Sequence, residues 1–326
     1  MMSWMLIRTI FDARPSAGRK YALQTSLLAA SWSHYVRYRS AHPLEVLVIG
    51  GMSPPLHDLL TNLGVAIIPV NPHPNDHASR LANKILGLLV EGEAPRLLVD
   101  NDTCFVGDLD SHPAPGGVEI MAAPAGSPRV SSAQWQHIRE HLGLRPLDLE
   151  WRPLQDEASG FQTGAPSRVC QGLYVNSGVV WTANPLELGR AWADNVKRIG
   201  DLFEGHPLES LSVRGDDQAG LAAAIGTHGK FAFLDDGLNY RPPCFWMGKR
   251  DRHAIRIVHM TDMHLAGLSP TCTVEEAIQK FWRDRVRSGL VALDDVRRAA
   301  LLQASEEILA RIRGVISAFQ LDRIVL

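Results

Sequence analysis

The chain has 326 residues, 45% of them hydrophobic and 21% charged, with a formal net charge of −2. That supplies enough apolar material for one large domain or two modest ones, and the charge balance gives no reason to expect nucleic acid as a partner. No apolar run is long enough to cross a bilayer, the first ten residues carry Arg8 and no small-residue cleavage site, and the four cysteines stand far apart. Membrane insertion, a signal peptide and a zinc knuckle are therefore not expected, and a reducing cytoplasm is.

Read in chain order, Met5 to Phe11 is a strand, Tyr21 to Tyr38 a helix, and Leu44 to Ile49 a strand closed by Gly50-Gly51. Pro55 to Leu63 is helical, Val65 to Val70 a strand, Asp76 to Val90 a helix, and Arg96 to Val99 a short aliphatic strand. Val118 to Ala123 is a strand and Ser131 to Leu142 a helix. The Pro-, Gly- and polar-rich stretch from Trp151 to Ser167 is expected to be a long binding loop or lid. Apolar pieces on either side of Asn176-Ser177-Gly178 resume the sheet. Leu186 to Ile199 and Asp216 to Ile225 are helices, and Phe231 to Leu234 and Ile255 to Met260 are strands. From Val274 onward the spacing is helical, with Ile308, Ile312 and Val315 on an inner face and Glu306, Arg311 and Arg313 outside. This alternation predicts an α/β protein, three layers around a mixed, mainly parallel sheet. Residues 1–270 are expected to form it, with 271–326 a helical extension that packs on the domain or forms a homo-oligomer contact.

The sharpest feature is Leu97-Leu98-Val99-Asp100-Asn101-Asp102, an apolar run that stops at two carboxylates one residue apart. Acids beyond a buried strand sit where open α/β sheets bind ligands. They cost desolvation energy unless a positive group joins them, and hard divalent cations take carboxylate oxygens. The ordinary reading of such a pair is turn capping; its place after a buried strand favours a metal.

Several segments in order carry a resemblance. Asn83-Lys84-Ile85-Leu86, Asp100-Asn101-Asp102, Gly107-Asp108-Leu109, Tyr174-Val175-Asn176-Ser177-Gly178-Val179, Asp217-Gln218 and Ile257-Val258-His259 together resemble the core of GT-A glycosyltransferases. They are most similar to glycosyltransferase family 8, which contains bacterial lipooligosaccharide galactosyltransferases, glycogenin and galactinol synthase. The resemblance spans Met5 to Gly267 and implies a GT-A fold and transfer, with retention, of a sugar from a nucleotide sugar, a UDP-sugar above all, to an acceptor the sequence does not name.

It also implies roles. Asp100, Asp102 and His259 would ligate Mn2+ or Mg2+, an oxygen and imidazole set suited to those ions. The cation would offset charge on the departing diphosphate. Asn176 and Gln218 would meet sugar hydroxyls through their amides, and Asp217 would hold a hydroxyl or stabilise a developing oxocarbenium ion. Lys84, or Arg80 a turn earlier, would meet the diphosphate, and Asp12 and Asn101 complete the nucleotide-binding set. No nucleophile is assigned. The aromatic faces of Trp135, Trp151 and Trp246 are available for stacking on a sugar, with plain packing the commoner use.

The chain departs from the family after the histidine, where His259-Met260-Thr261-Asp262-Met263-His264 lacks the usual glycine and lysine, so His264 competes with His259 as third ligand. Asp262-Met263-His264-Leu265 also resembles the opening of metallophosphoesterases, but no histidine follows His264 and no Asn-His pair exists. Two other functions stand beside the main one: a nucleotidyltransferase, for which Ser16-Ala17-Gly18-Arg19 is a poor nucleotide loop, and a catalytically silent module that binds a nucleotide sugar.

Overall fold

Short aliphatic runs make the strands: β1 (Leu6–Asp12), β2 (Leu44–Ile49), β3 (Ala66–Val70), β4 (Arg96–Val99), β5 (Thr103–Phe105), β6 (Ile120–Pro124), β7 (Val175–Thr182), β8 (Phe231–Phe233) and β9 (Ile257–His259). The structure, a computed structural model, describes residues 5–14, 18–74, 80–92, 94–109, 116–124, 130–144, 175–204, 217–228, 230–240, 255–260, 273–290 and 295–323. Among the described residues, seven strands form one sheet in the order β3-β2-β1-β4-β7-β6-β8. β3, β2, β1 and β4 run parallel, β7 opposes β4 and β6, and β8 is parallel to β6. The sheet is thus mixed and mainly parallel, as the alternation of elements requires. β5 and β9 form a separate antiparallel pair.

The helices are α1 (Gly18–Tyr35), α2 (Pro54–Asn62), α3 (Leu86–Leu89), α4 (Ser132–Leu142), α5 (Pro185–Leu202), α6 (Asp217–His228), α7 (Val274–Leu290) and α8 (Asp295–Ala318). They cover both faces, because alternate strand residues point to opposite sides. Leu97 and Val99 of β4 join Ile7, Leu28 and Ile312 in one apolar cluster, while Leu98 joins Ile85, Leu188 and Trp192 in the other. α7 and α8 belong to the first layer. The Tyr35 hydroxyl donates to Arg311 O at 3.2 Å, and Arg311 Nη1 donates to Val106 O at 3.2 Å. Arg311, expected to lie outside, is therefore half-buried.

The expected helix over Asp76 to Val90 is corrected. A 3-10 segment (Arg80–Ile85) leads into the single α-turn of α3, and residues 75–79 lie outside the described set. Two buried guanidiniums terminate the helix from tertiary positions. Arg96 Nη1 donates to Gly87 O, Leu88 O and Val90 O at 3.2, 2.9 and 3.1 Å, and Arg8 Nη1 donates to Val90 O at 2.7 Å. They fix where the segment ends, at Leu89 beside the expected Val90, by taking carbonyls that a further turn would have used.

Candidate active site

β1 and β4 run parallel, so their carboxyl ends open on the same edge of the sheet, and β7 begins at that edge because it runs the other way. The pairing of β6 with β7 jumps from Ala122↔Val180 to Ala123↔Asn176, so Ser177, Gly178 and Val179 bulge away from β6. Val179 pairs instead with Val99, and Asp100 N–H donates to Gly178 O at 2.7 Å. Bulges of this kind re-aim side chains beside functional sites.

A tight turn joins β4 to β5. Thr103 donates to Asp100 O from its backbone N–H at 3.1 Å and from its hydroxyl at 2.7 Å. β9 then pairs with β5, Thr103 opposite His259, and Met260 N–H donates to Asp102 O at 2.8 Å. His259 Nε2 consequently lies 3.3 Å from Asp102 Oδ1 and 3.8 Å from Asp100 Oδ2. One ligand atom from each of Asp100, Asp102 and His259 falls within 4.8 Å of the other two, so the three can converge on one cation. Two carboxylate oxygens and an imidazole nitrogen suit Mn2+ or Mg2+ as a donor set.

Lys84 stands beside this triad. Its Nζ is 2.9 Å from Asp100 Oδ2, 3.1 Å from Asp217 Oδ2 and 3.0 Å from Ser177 Oγ. Ser177 Oγ also donates to Asp217 Oδ2 at 2.5 Å. Burial pulls the lysine's pKa down, but Asp100 and then Asp217 outweigh it, and Lys84 is held above its ordinary value. Burial lifts the Asp100 carboxyl; Lys84 pulls it back and Asp102 adds to the rise.

Asp217 opens α6, where the helix dipole favours a carboxylate. Trp192 Nε1 donates to Asp217 O at 2.7 Å and anchors that end. A Cβ at Gly220 would lie 2.4 Å from Val196 Cγ2, so glycine lets α6 lie against α5 closely enough for that bond. Gln218 follows, half-buried.

Asp12 ends β1 in its own cluster. It accepts from Arg14 Nε at 2.8 Å and from Asn83 Nδ2 at 3.2 Å, and Asn83 Oδ1 accepts from His73 N–H at 2.8 Å. Asn83 and Lys84, adjacent in the chain, thus reach Asp12 and Asp100 respectively. Asn101 sits half-buried in the turn between the two acids. Arg80 begins the 3-10 segment, but its side chain lies outside the described set, as do His264, Asp216, Trp151, Trp246 and the expected loop over 151–167. Trp135 is buried in the core.

Three further participants have no role that the sequence assigns. Ser177 bridges Lys84 and Asp217; Gly178 leaves room for the His259 ring; and Asn239 is buried between Asn176 and His259. The Asn-Ser-Gly run drew attention to the first two. Nothing local marks Asn239, which is placed by Tyr240, whose N–H donates to Ile257 O at 2.9 Å and whose carbonyl accepts from His259 N–H at 2.6 Å.

Carboxylates, a lysine and an imidazole from four segments thus meet at one edge of an α/β sheet, the arrangement of an enzyme that handles charged ligands. The chain belongs to the family described as the Rhodobacterales glycosyltransferase domain, which matches residues 17–229, and it is a glycosyltransferase. That span holds Lys84, Asp100, Asp102, Asn176, Ser177 and Asp217; Asn239 and His259 lie beyond it. Among solved structures the chain is similar to the apo form of mouse xyloside xylosyltransferase 1, at 13% identity and a TM-score of 0.44, over 79% of this chain and 98% of that one. No curated protein matches. Among the described residues no helix is long and apolar enough to cross a membrane.

Proposed function

We propose that the protein is a metal-dependent glycosyltransferase that takes a sugar from a nucleotide donor, a UDP-sugar, and passes it with retention to a separate acceptor. The observation that carries this reading is the convergence of Asp100, Asp102 and His259 on one point, with Lys84 and Asp217 alongside. The ordered resemblance to glycosyltransferase family 8 supports the GT-A assignment, the retention and the choice of base.

The residues divide the work by charge. Asp100, Asp102 and His259 would hold Mn2+ or Mg2+, which when bound offsets charge on the leaving diphosphate. Lys84, already cationic between Asp100 and Asp217, is placed to exchange part of that pairing for a phosphate oxygen. Asp217 and Gln218 at the start of α6, together with the Asn176 amide, face the donor sugar. Asp12 and Asn101 serve the nucleotide, Asp12 as acceptor for a base N–H. The reading includes a cytoplasmic setting, on the scattered cysteines.

The test is nucleotide release from a panel of UDP- and GDP-sugars with Mn2+ present or chelated. Release that needs the metal, prefers UDP-sugars and disappears in Asp102→Ala is expected. Binding of UDP without turnover against any acceptor, or undiminished activity in Asp102→Ala, overturns the proposal.

A further inference from the structure

Three buried side chains form a hydrogen-bonded line that ends on the imidazole. Asn176 Oδ1 accepts from Gly178 N–H at 3.0 Å and from Asn239 Nδ2 at 3.0 Å, and Asn239 Oδ1 lies 3.0 Å from His259 Nδ1. All three residues are nearly sealed from solvent, at 3%, 5% and 2% exposure. A buried line of this kind holds its orientation, because each unmade bond would leave a polar atom unsatisfied.

Its direction can be read from one end. A backbone N–H can only donate, so the Asn176 atom facing Gly178 is the carbonyl oxygen. The Asn239 atom facing that same oxygen must then be its NH2, which turns the Asn239 carbonyl oxygen toward His259. An oxygen cannot donate, so His259 Nδ1 carries the proton. The neutral ring then keeps its lone pair on Nε2, the atom that faces Asp102 and Asp100 at 3.3 and 3.8 Å.

We propose that Asn239 is a positioning residue that fixes His259 in the Nδ1–H tautomer, and that Asn176 in turn fixes the Asn239 amide, so that the Asn-Ser-Gly bulge sets the metal-ligating nitrogen through two carboxamides. The proposal rests on the metal reading of the site. Second partners of this sort fix the tautomer and ring orientation of metal-bound histidines, and their loss typically costs roughly 10–100-fold in metal affinity. It gives Asn176 a task besides contact with sugar, since its oxygen faces inward and its Nδ2 is what remains for a ligand. It also gives the 235–240 segment a reason to be where it is.

The experiment is 15N-histidine NMR of the metal-free protein at pH 8, paired with Mn2+ titration of the same samples. Wild type is expected to show a protonated Nδ1 on His259. Asn239→Leu is expected to lose that pattern and to bind Mn2+ roughly 10–100-fold more weakly. Asn239→Asp, which keeps an acceptor on Nδ1–H but gives up the donor to Asn176 Oδ1, is expected to restore the proton on Nδ1 and part of the affinity. A wild-type ring with a bare Nδ1 overturns the relay without any variant being needed. So does a folded Asn239→Leu that keeps the wild-type tautomer and affinity. Wild type that shows the tautomer but binds no Mn2+ overturns instead the metal reading beneath it.

Discussion

Gly178 and His259 occupy one space. A Cβ built on Gly178 would stand 1.9 Å from His259 Cε1 and within 2.7 Å of both ring nitrogens. The imidazole therefore lies against the backbone of β7, where only glycine allows it. Gly178→Ala must push the ring away from Asp102 or bend the bulge. Mn2+ affinity is expected to fall at least tenfold, with about 1–3 kcal/mol of stability lost to overpacking. Calorimetric Mn2+ titration beside denaturant unfolding checks both, and wild-type affinity in Gly178→Ala would refute the assignment of His259 as a ligand.

Asp102 Oδ1 faces His259 Nε2 at 3.3 Å, whereas Lys84 is held by Asp100 and Asp217. Asp102→Asn keeps the shape and removes a charge. Metal-dependent nucleotide release is expected to drop about 100-fold or more, the loss of a leaving-group cation. Wild type is expected to gain melting temperature with Mn2+ because the ion binds only the folded state, and the variant to gain little. Melts with and without chelator separate a lost ligand from a damaged fold.

The readable part of the site was the part built from neighbours in sequence. Leu97 to Asp102 announces a buried strand and its acidic exit because both lie within six residues. Asp217 was legible as a helix start, and His259 entered through the order of motifs. The partners that hold these groups were not legible, because they are tertiary: Ser177 meets Asp217 across 40 residues and Asn239 meets Asn176 across 63. The end of the helical segment before β4 is under the same kind of tertiary control. Its apolar spacing at Ile85 and Leu88 is helical, but Arg8 and Arg96 arrive from two strands to claim its carbonyls.

Arg96 supplies a structural prediction apart from the chemistry. Its side chain is fully buried and donates to four backbone carbonyls, of Gly87, Leu88, Val90 and Gly92. Burial and the nearby Arg8 lower its pKa to about 10, which still leaves it charged at neutral pH. Arg96→Met fills much of the volume but strands the carbonyls, and about 3 kcal/mol or more is expected to be lost. Because these carbonyls end the segment that carries Lys84, the variant's residual folded fraction should also bind UDP more weakly. Urea unfolding gives the first quantity and titration with UDP the second.

Lys84 is the cation that lets Asp100 and Asp217 share a buried corner, and removing it exposes that dependence. In metal-free Lys84→Met the two carboxylates lose their common partner, with a cost of about 3 kcal/mol, as for other broken buried pairs. Mn2+ is expected to recover part of this by neutralising Asp100, whereas the KM for the donor should remain raised at least tenfold. The pH dependence has a definite sign. Lys84 holds its proton more tightly folded than unfolded, so its contribution is complete below the unfolded value of 10.5 and is lost as pH rises above it. The stability gap between wild type and Lys84→Met should therefore be flat through neutral pH and begin to close only above 10.5. Paired denaturant melts across that range measure it, and a gap that closes below pH 9 would show that the lysine is not held between the two acids.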